Sequence, residues 1–180
     1  MKIVIDTSSL LSLVRYYLPF DRDSKLIQTI QTQVESGKII ILDKVAEESM
    51  YLAGGIILEA LPFLCNKKNQ TKTSELFPNK SFFNMLENQF MNAAIRRKLS
   101  DIEFESRKSI FLESADSKIL LYAINQKKLS SEIVVVTEET PNNNDNKAFK
   151  KIPSICQILE IECIHLPNLI QSLDNIDVSF

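Results

Sequence analysis

KIVIDTSSLLSLV, residues 2–14, decides the fold. Ile3, Val4 and Ile5 form an apolar, β-branched run of the kind that fills a buried strand. Asp6 ends that run. Thr7, Ser8 and Ser9 then offer hydroxyls suited to the N-cap of a helix through LLSLVRYYL (10–18), which Pro19 stops. A strand that turns at once into a helix is the opening of a β–α–β unit. Further strand-like runs follow: KIIIL at 38–42, EIVVVT at 132–137 and the short ECIHL at 162–166.

Helical patterns alternate with these runs. Ser24–Ser36 places Leu26, Ile27, Ile30 and Val34 on one face, with Gly37 as its stop. Asp43 is positioned to cap a helix carrying Val45, Glu47, Glu48 and Leu52, which Gly54 and Gly55 end. ADSKILLYAINQKKL (115–129) reads as a strong amphipathic helix, and EETPNNNDNK (138–147) as a polar loop. Pro153 suits the first turn of a helix through SICQILEI, and PNLIQSL (167–173) makes a last short helix. Residues 56–113 read as a helical insert, interrupted by the polar loop candidate NKKNQTKTSELFPNK (66–80). Within it Phe82, Met85, Leu86, Phe90, Ala93 and Ala94 recur at helical spacing and read as core. The alternation predicts an α/β fold with a parallel central sheet, flanking helices and right-handed crossovers, in a single domain over 1–180.

Composition narrows the function. A chain of 180 residues with 44% hydrophobic and 24% charged residues can bury one sizeable core. Its net charge of −2 means that any nucleic acid must be met by a local basic patch. Candidate patches are Lys67/Lys68/Lys72, Arg96/Arg97/Lys98, Arg107/Lys108 and Lys147/Lys150/Lys151, although such runs are usually solvated faces. Cys65, Cys156 and Cys163 contain no CxxC pair, which argues against a disulfide framework or zinc ribbon. They read as buried thiols in a reducing cytoplasm. His165 is the sole histidine, so neither a histidine acid–base pair nor a multi-histidine metal site can be built. No signal peptide is visible, and no run reaches the ~18 apolar residues of a membrane span. GxxxxGK[ST], GxGxxG and a D-x-D-x-T start are all missing, which argues against a nucleotide-binding or phosphoaspartyl α/β protein.

The informative residues are acids. Asp6, Glu48, Asp116 and the pair Glu138/Glu139 each sit at or just past a strand-like or small-residue run. In an open parallel sheet, chemistry gathers at the carboxyl ends of the strands. Carboxylates brought together there repel one another unless a divalent cation sits among them. Oxygen-only ligands select hard cations such as Mg²⁺ or Mn²⁺. A metal-dependent hydrolase is therefore the leading expectation.

Taken in order, VIDTSSLL (4–11), LDKVAEES (42–49), ADSKILLYA (115–123), VVVTEET (134–140) and the ending KIPSICQILEIECIHL (151–166) resemble a PIN domain. That fold is shared by many metal-dependent ribonucleases, the VapC-like toxins of toxin–antitoxin pairs among them. The resemblance implies catalytic and metal-binding roles for Asp6, Glu48, Asp116 and Glu139. Asp6 matches the first metal-binding aspartate, with the hydroxyl of Ser8 or Ser9 to orient it. Glu48 matches the acid of a V-x-x-E pattern, with Glu47 as neighbour. Asp116 matches the aspartate of A-D-S. Glu139 matches the acid of T-x-D/E, with Glu138 also available. Thr137 or Ser9 would lend a supporting hydroxyl, and Lys147 would hold phosphate. The implied protein is a cytoplasmic Mg²⁺- or Mn²⁺-dependent endoribonuclease. As a toxin it would have an antitoxin partner that covers the carboxylates with an arginine, and it would form a homodimer. The alternative is a catalytically silent PIN-like module that binds RNA or protein.

Overall fold

Ile3, Val4 and Ile5 are all buried, so β1 (Lys2–Ile5) is covered on both faces, because successive strand residues point to opposite sides. The same holds for β2 (Ile39–Leu42) and β4 (Ile133–Val136), in which every residue is buried. β1 lies between these two strands, parallel to both, with Ile3 opposite Ile39 on one side and Val134 on the other. β5 (Glu162–Ile164) extends the sheet parallel to β4, and the two-residue β3 (Gln70–Thr71) extends it parallel to β2. The order is β3-β2-β1-β4-β5, an all-parallel α/β sheet as the alternation predicts. The computed structural model describes residues 1–129, 132–141 and 147–173. Part of the polar loop expected after β4, residues 142–146, lies outside them.

Helices fill the connections. α1 (Thr7–Ser12) and α2 (Lys25–Glu35) join β1 to β2, and α3 (Asp43–Tyr51) and α4 (Ile56–Ala60) follow β2. α5 (Lys80–Met85), α6 (Ala93–Arg96), α7 (Asp101–Glu113) and α8 (Ala115–Lys128) lie between β3 and β4. α9 (Ile152–Leu159) joins β4 to β5, and α10 (Leu166–Ser172) follows. One hydrophobic cluster runs from Ile3 to Leu173 and takes in Phe82, Leu86 and Phe90 of the insert, with Met85 partly buried against it, but Ala93 and Ala94, also read as core, are exposed. Among the described residues no helix is long and apolar enough to cross a membrane.

Several local expectations are corrected. The polar stretch 66–80, expected as a loop interrupting the helical insert, contains the short strand β3. An edge strand pairs on one side only, and Gln70 and Thr71 are only half-buried, so no apolar run marks it. Asp43 does not cap its own helix. Its carboxylate instead reaches past the end of β3, accepting from Thr73 Oγ1 (2.6 Å) and Thr73 N (3.2 Å). Thr73→Val removes the buried hydroxyl bond, and the expected cost is about 1–2 kcal/mol. Urea unfolding checks it: an unchanged midpoint would mean that the Asp43–Thr73 tie contributes nothing. α8 is buried on all sides from Ser117 to Ala123, more than an amphipathic helix would be. Of the three free thiols, Cys156 is buried as expected but Cys65 is exposed.

Candidate active site

β1 and β4 end side by side at Ile5 and Val136. The chain runs outward from β1 through β2 and β3 and then returns past β1 to β4. The carboxyl ends of β1 and β4 therefore flank the crevice where strand order reverses, the usual binding position in open α/β sheets. Asp6 and Thr137 are the next residues on the two strands, and Asp6 N still donates to Val136 O (2.9 Å).

Asp6 is buried and held from three directions. Its Oδ1 accepts from Thr7 N (2.7 Å), which caps α1, and its Oδ2 accepts from Ser8 Oγ (2.6 Å) and Thr137 Oγ1 (2.9 Å). Both hydroxyls are themselves anchored. Ser8 Oγ accepts from Glu138 N (3.1 Å), and Thr137 Oγ1 accepts from Glu139 N (3.2 Å). The backbone that leaves β4 thus fixes Asp6 through two hydroxyls. Of the two serines left open by the sequence, Ser8 orients Asp6. Ser9 is fully buried, and its hydroxyl finds no partner among the described residues.

Three further acids face the same crevice. Glu48, on α3, accepts from Thr7 Oγ1 (2.6 Å), one residue from Asp6. Asp116 lies in the first turn of α8. Ser114 caps that helix by accepting from Ser117 N (3.3 Å), which leaves the Asp116 carboxylate out of the cap. Burial first, then the charges of Asp6, Glu139 and Glu48, push the Asp116 carboxyl up to about 7, while Lys147 pulls it back. Glu139 accepts from Ile152 N at the start of α9 (3.0 Å), and Lys147 Nζ stands 3.6 Å from its Oε1.

Adjacent glutamates part company here. Glu138 turns away and accepts from Leu166 N at the start of α10 (2.7 Å), 4.0 Å from His165 Nδ1. His165 is tied to the Thr137 carbonyl (2.9 Å), in keeping with its structural reading. Glu47 is exposed and paired with Lys44 (2.9 Å), outside the crevice. The structure thus brings together Asp6, Glu48, Asp116 and Glu139, with Ser8, Thr137 and Lys147 beside them, and leaves Glu47, Glu138 and Ser9 aside. Sequence reasoning passed over Thr7, the hydroxyl joining Glu48 to α1, and Lys118, a buried cation 3.6 Å from Glu113. The T-S-S run did signal Thr7, as one of three possible cap hydroxyls. Nothing marked Lys118, because a lysine in a helical pattern ordinarily faces water.

The four acids face one another without closing on a single point: among the described residues no three carboxylate, thiol or imidazole groups are close enough to form a ready-made metal cage.

An all-parallel α/β sheet with an acidic crevice at its strand-order reversal defines the class of this protein. Within that class, residues 3–176 match the model of a family described as a domain of unknown function, DUF4411, and the chain belongs to that family. No curated protein and no solved structure matches it.

Proposed function

We propose that this chain is a PIN-like, Mg²⁺- or Mn²⁺-dependent endoribonuclease. The supporting observation is the gathering of four acids from distant parts of the chain, Asp6, Glu48, Asp116 and Glu139, around one crevice at the carboxyl edge of the sheet. The donor set suits a hard divalent cation. It is oxygen-only, and burial, followed by the neighbouring negative charges, raises the Asp116 carboxyl to about 7. Magnesium keeps several waters and takes few carboxylates directly, so a cage of three protein ligands is not required. Asp6 and Asp116 would hold the ion, with Glu48 and Glu139 flanking it. When bound, such an ion offsets charge on the phosphoryl oxygens and favours ionisation of an attacking water.

The protein's own groups do the positioning. Ser8 and Thr137 lock the Asp6 carboxylate in place before any ligand arrives. The Ile152 N–H does the same for Glu139. Cation and proton compete for Asp116, so binding strengthens above neutral pH. Lys147, beside Glu139, is placed to meet a phosphate oxygen.

A toxin role follows from the same reading. An antitoxin would cover the carboxylates with an arginine, whose fork matches paired carboxylate oxygens. A homodimer and a cytoplasmic location belong to the same proposal. One observation favours the silent-module alternative: the four acids do not converge on one point without rearrangement.

Cleavage of mixed single-stranded RNAs decides between the two. The nuclease reading expects cutting with Mn²⁺, none with EDTA, and a loss of roughly 100-fold or more in Asp6→Asn, on the scale of losing a key electrostatic group. Glu139→Gln should fall roughly 10-fold or more, while Glu138→Gln should keep activity within a few-fold, since its carboxylate serves α10. Equal losses in the two glutamate variants would contradict the assignment. RNA bound but never cut would favour the silent module.

A further inference from the structure

Two basic clusters that lie far apart in sequence meet in space. A groove of about 390 Å³ runs between α7 and the segment leading into α9, with Arg107 on one wall and Lys147 and Lys150 on the other. Asp116 and Glu139 also line it, so it opens into the acidic crevice. Its floor is apolar. Phe111 and Phe149, each 8% exposed, stack there with ring centroids 4.4 Å apart, and the exposed Ile110 also lines the groove. The insert braces the second wall, since Asn92 N donates to Ala148 O and Lys150 N to Phe90 O, both at 2.8 Å.

We infer that this groove seats a single-stranded nucleic acid next to the scissile phosphate, with Arg107 and Lys150 holding backbone phosphates and the Phe111–Phe149 floor meeting a base. The inference rests on the reading of the acidic crevice as the cutting site and adds the path of the strand and the side chains that hold it. A cationic rim over an apolar floor matches the alternation of phosphate and base in a single strand. A duplex keeps its base faces stacked inside and offers nothing to that floor. The chain as a whole carries a charge of −2, so general attraction does not account for a polyanion here.

Fluorescence anisotropy in EDTA, over a range of KCl, tests binding apart from cutting. The probe is a labelled oligouridylate of about 12 nucleotides, within the usual reach of a single-strand groove. Arg107 and Lys150 are exposed, so the double variant Arg107→Gln/Lys150→Gln should fold, and its melting temperature confirms that. It should bind roughly tenfold more weakly at low salt, and its log–log salt slope should be shallower by about 1.4, two phosphates at ~0.7 each. Lys67→Gln/Lys68→Gln, exposed residues that precede edge strand β3, should match wild type. Unchanged binding in the groove variant, an equal loss in the Lys67/Lys68 control, or equal competition by a blunt duplex would overturn the inference. The two proposals fail separately. Groove-dependent binding with no cutting in Mn²⁺ sinks the nuclease reading alone, and cutting that the groove variant leaves intact sinks the groove alone.

Discussion

Asp116→Asn is expected to make the metal-free protein more stable at pH 8 while abolishing metal-dependent cleavage. The Asp116 carboxyl titrates near 7 in the folded chain, against 3.8 in a free aspartate. Between those values the folded state holds a proton that the unfolded state has released, so stability falls as pH rises through that window. The penalty is complete above pH 7 and vanishes below about pH 4. At full strength the difference corresponds to about 4 kcal/mol. Asp116 is only half-buried, so a gain of about 2 kcal/mol is the realistic expectation. For a chain of this size that is a rise of roughly 4–8 °C in melting temperature at pH 8. The gain should shrink steadily toward pH 4. Thermal melts of both proteins from pH 4 to 8 check it. A pH-independent gain, or none, would mean that Asp116 does not share its surroundings with the other acids.

The second large effect concerns the insert. Phe90 is fully buried, meets Phe82 edge-on with centroids 5.8 Å apart, and its carbonyl accepts from Lys150 N. Phe90→Ala removes a large side chain from a packed core and is expected to cost about 3–5 kcal/mol, lowering the melting temperature by roughly 10 °C. Phe90→Leu, which keeps most of the volume, should cost less than about 1.5 kcal/mol. Urea unfolding of the three proteins compares them. If Phe90→Ala cost under 1 kcal/mol, the insert would be a loose appendage rather than part of the single core.

What the sequence revealed follows from which physical signals are local. Ile3–Ile5, Ile39–Leu42 and Ile133–Val136 are buried on both faces, so their β-branched runs were plain, and with them the positions of Asp6 and Thr137. Asp116 was legible because Ala-Asp-Ser opens a long helix. β3 was not, because two half-buried polar residues on a sheet edge need no hydrophobic pattern. The choice between Glu138 and Glu139 depends on which helix start collects each carboxylate, α10 for one and α9 for the other, and that is settled only by tertiary packing. Ser8 and Ser9 differ in the same way: one helical step aims Ser8 at Asp6 and turns Ser9 into the protein interior. The meeting of Arg107 with Lys147 and Lys150 needed the insert to dock through Phe90 and Asn92.

On the proposed function, four distant carboxylates form one seat for a hard divalent ion. Titration of the protein with Mn²⁺ at pH 8, followed by the electron spin resonance of the free ion, tests it without any substrate. Saturable binding that Mg²⁺ displaces is expected, weakening at least roughly tenfold in Asp6→Asn and in Asp116→Asn. Binding of equal strength in wild type and both variants, or no binding at millimolar Mn²⁺, would contradict it.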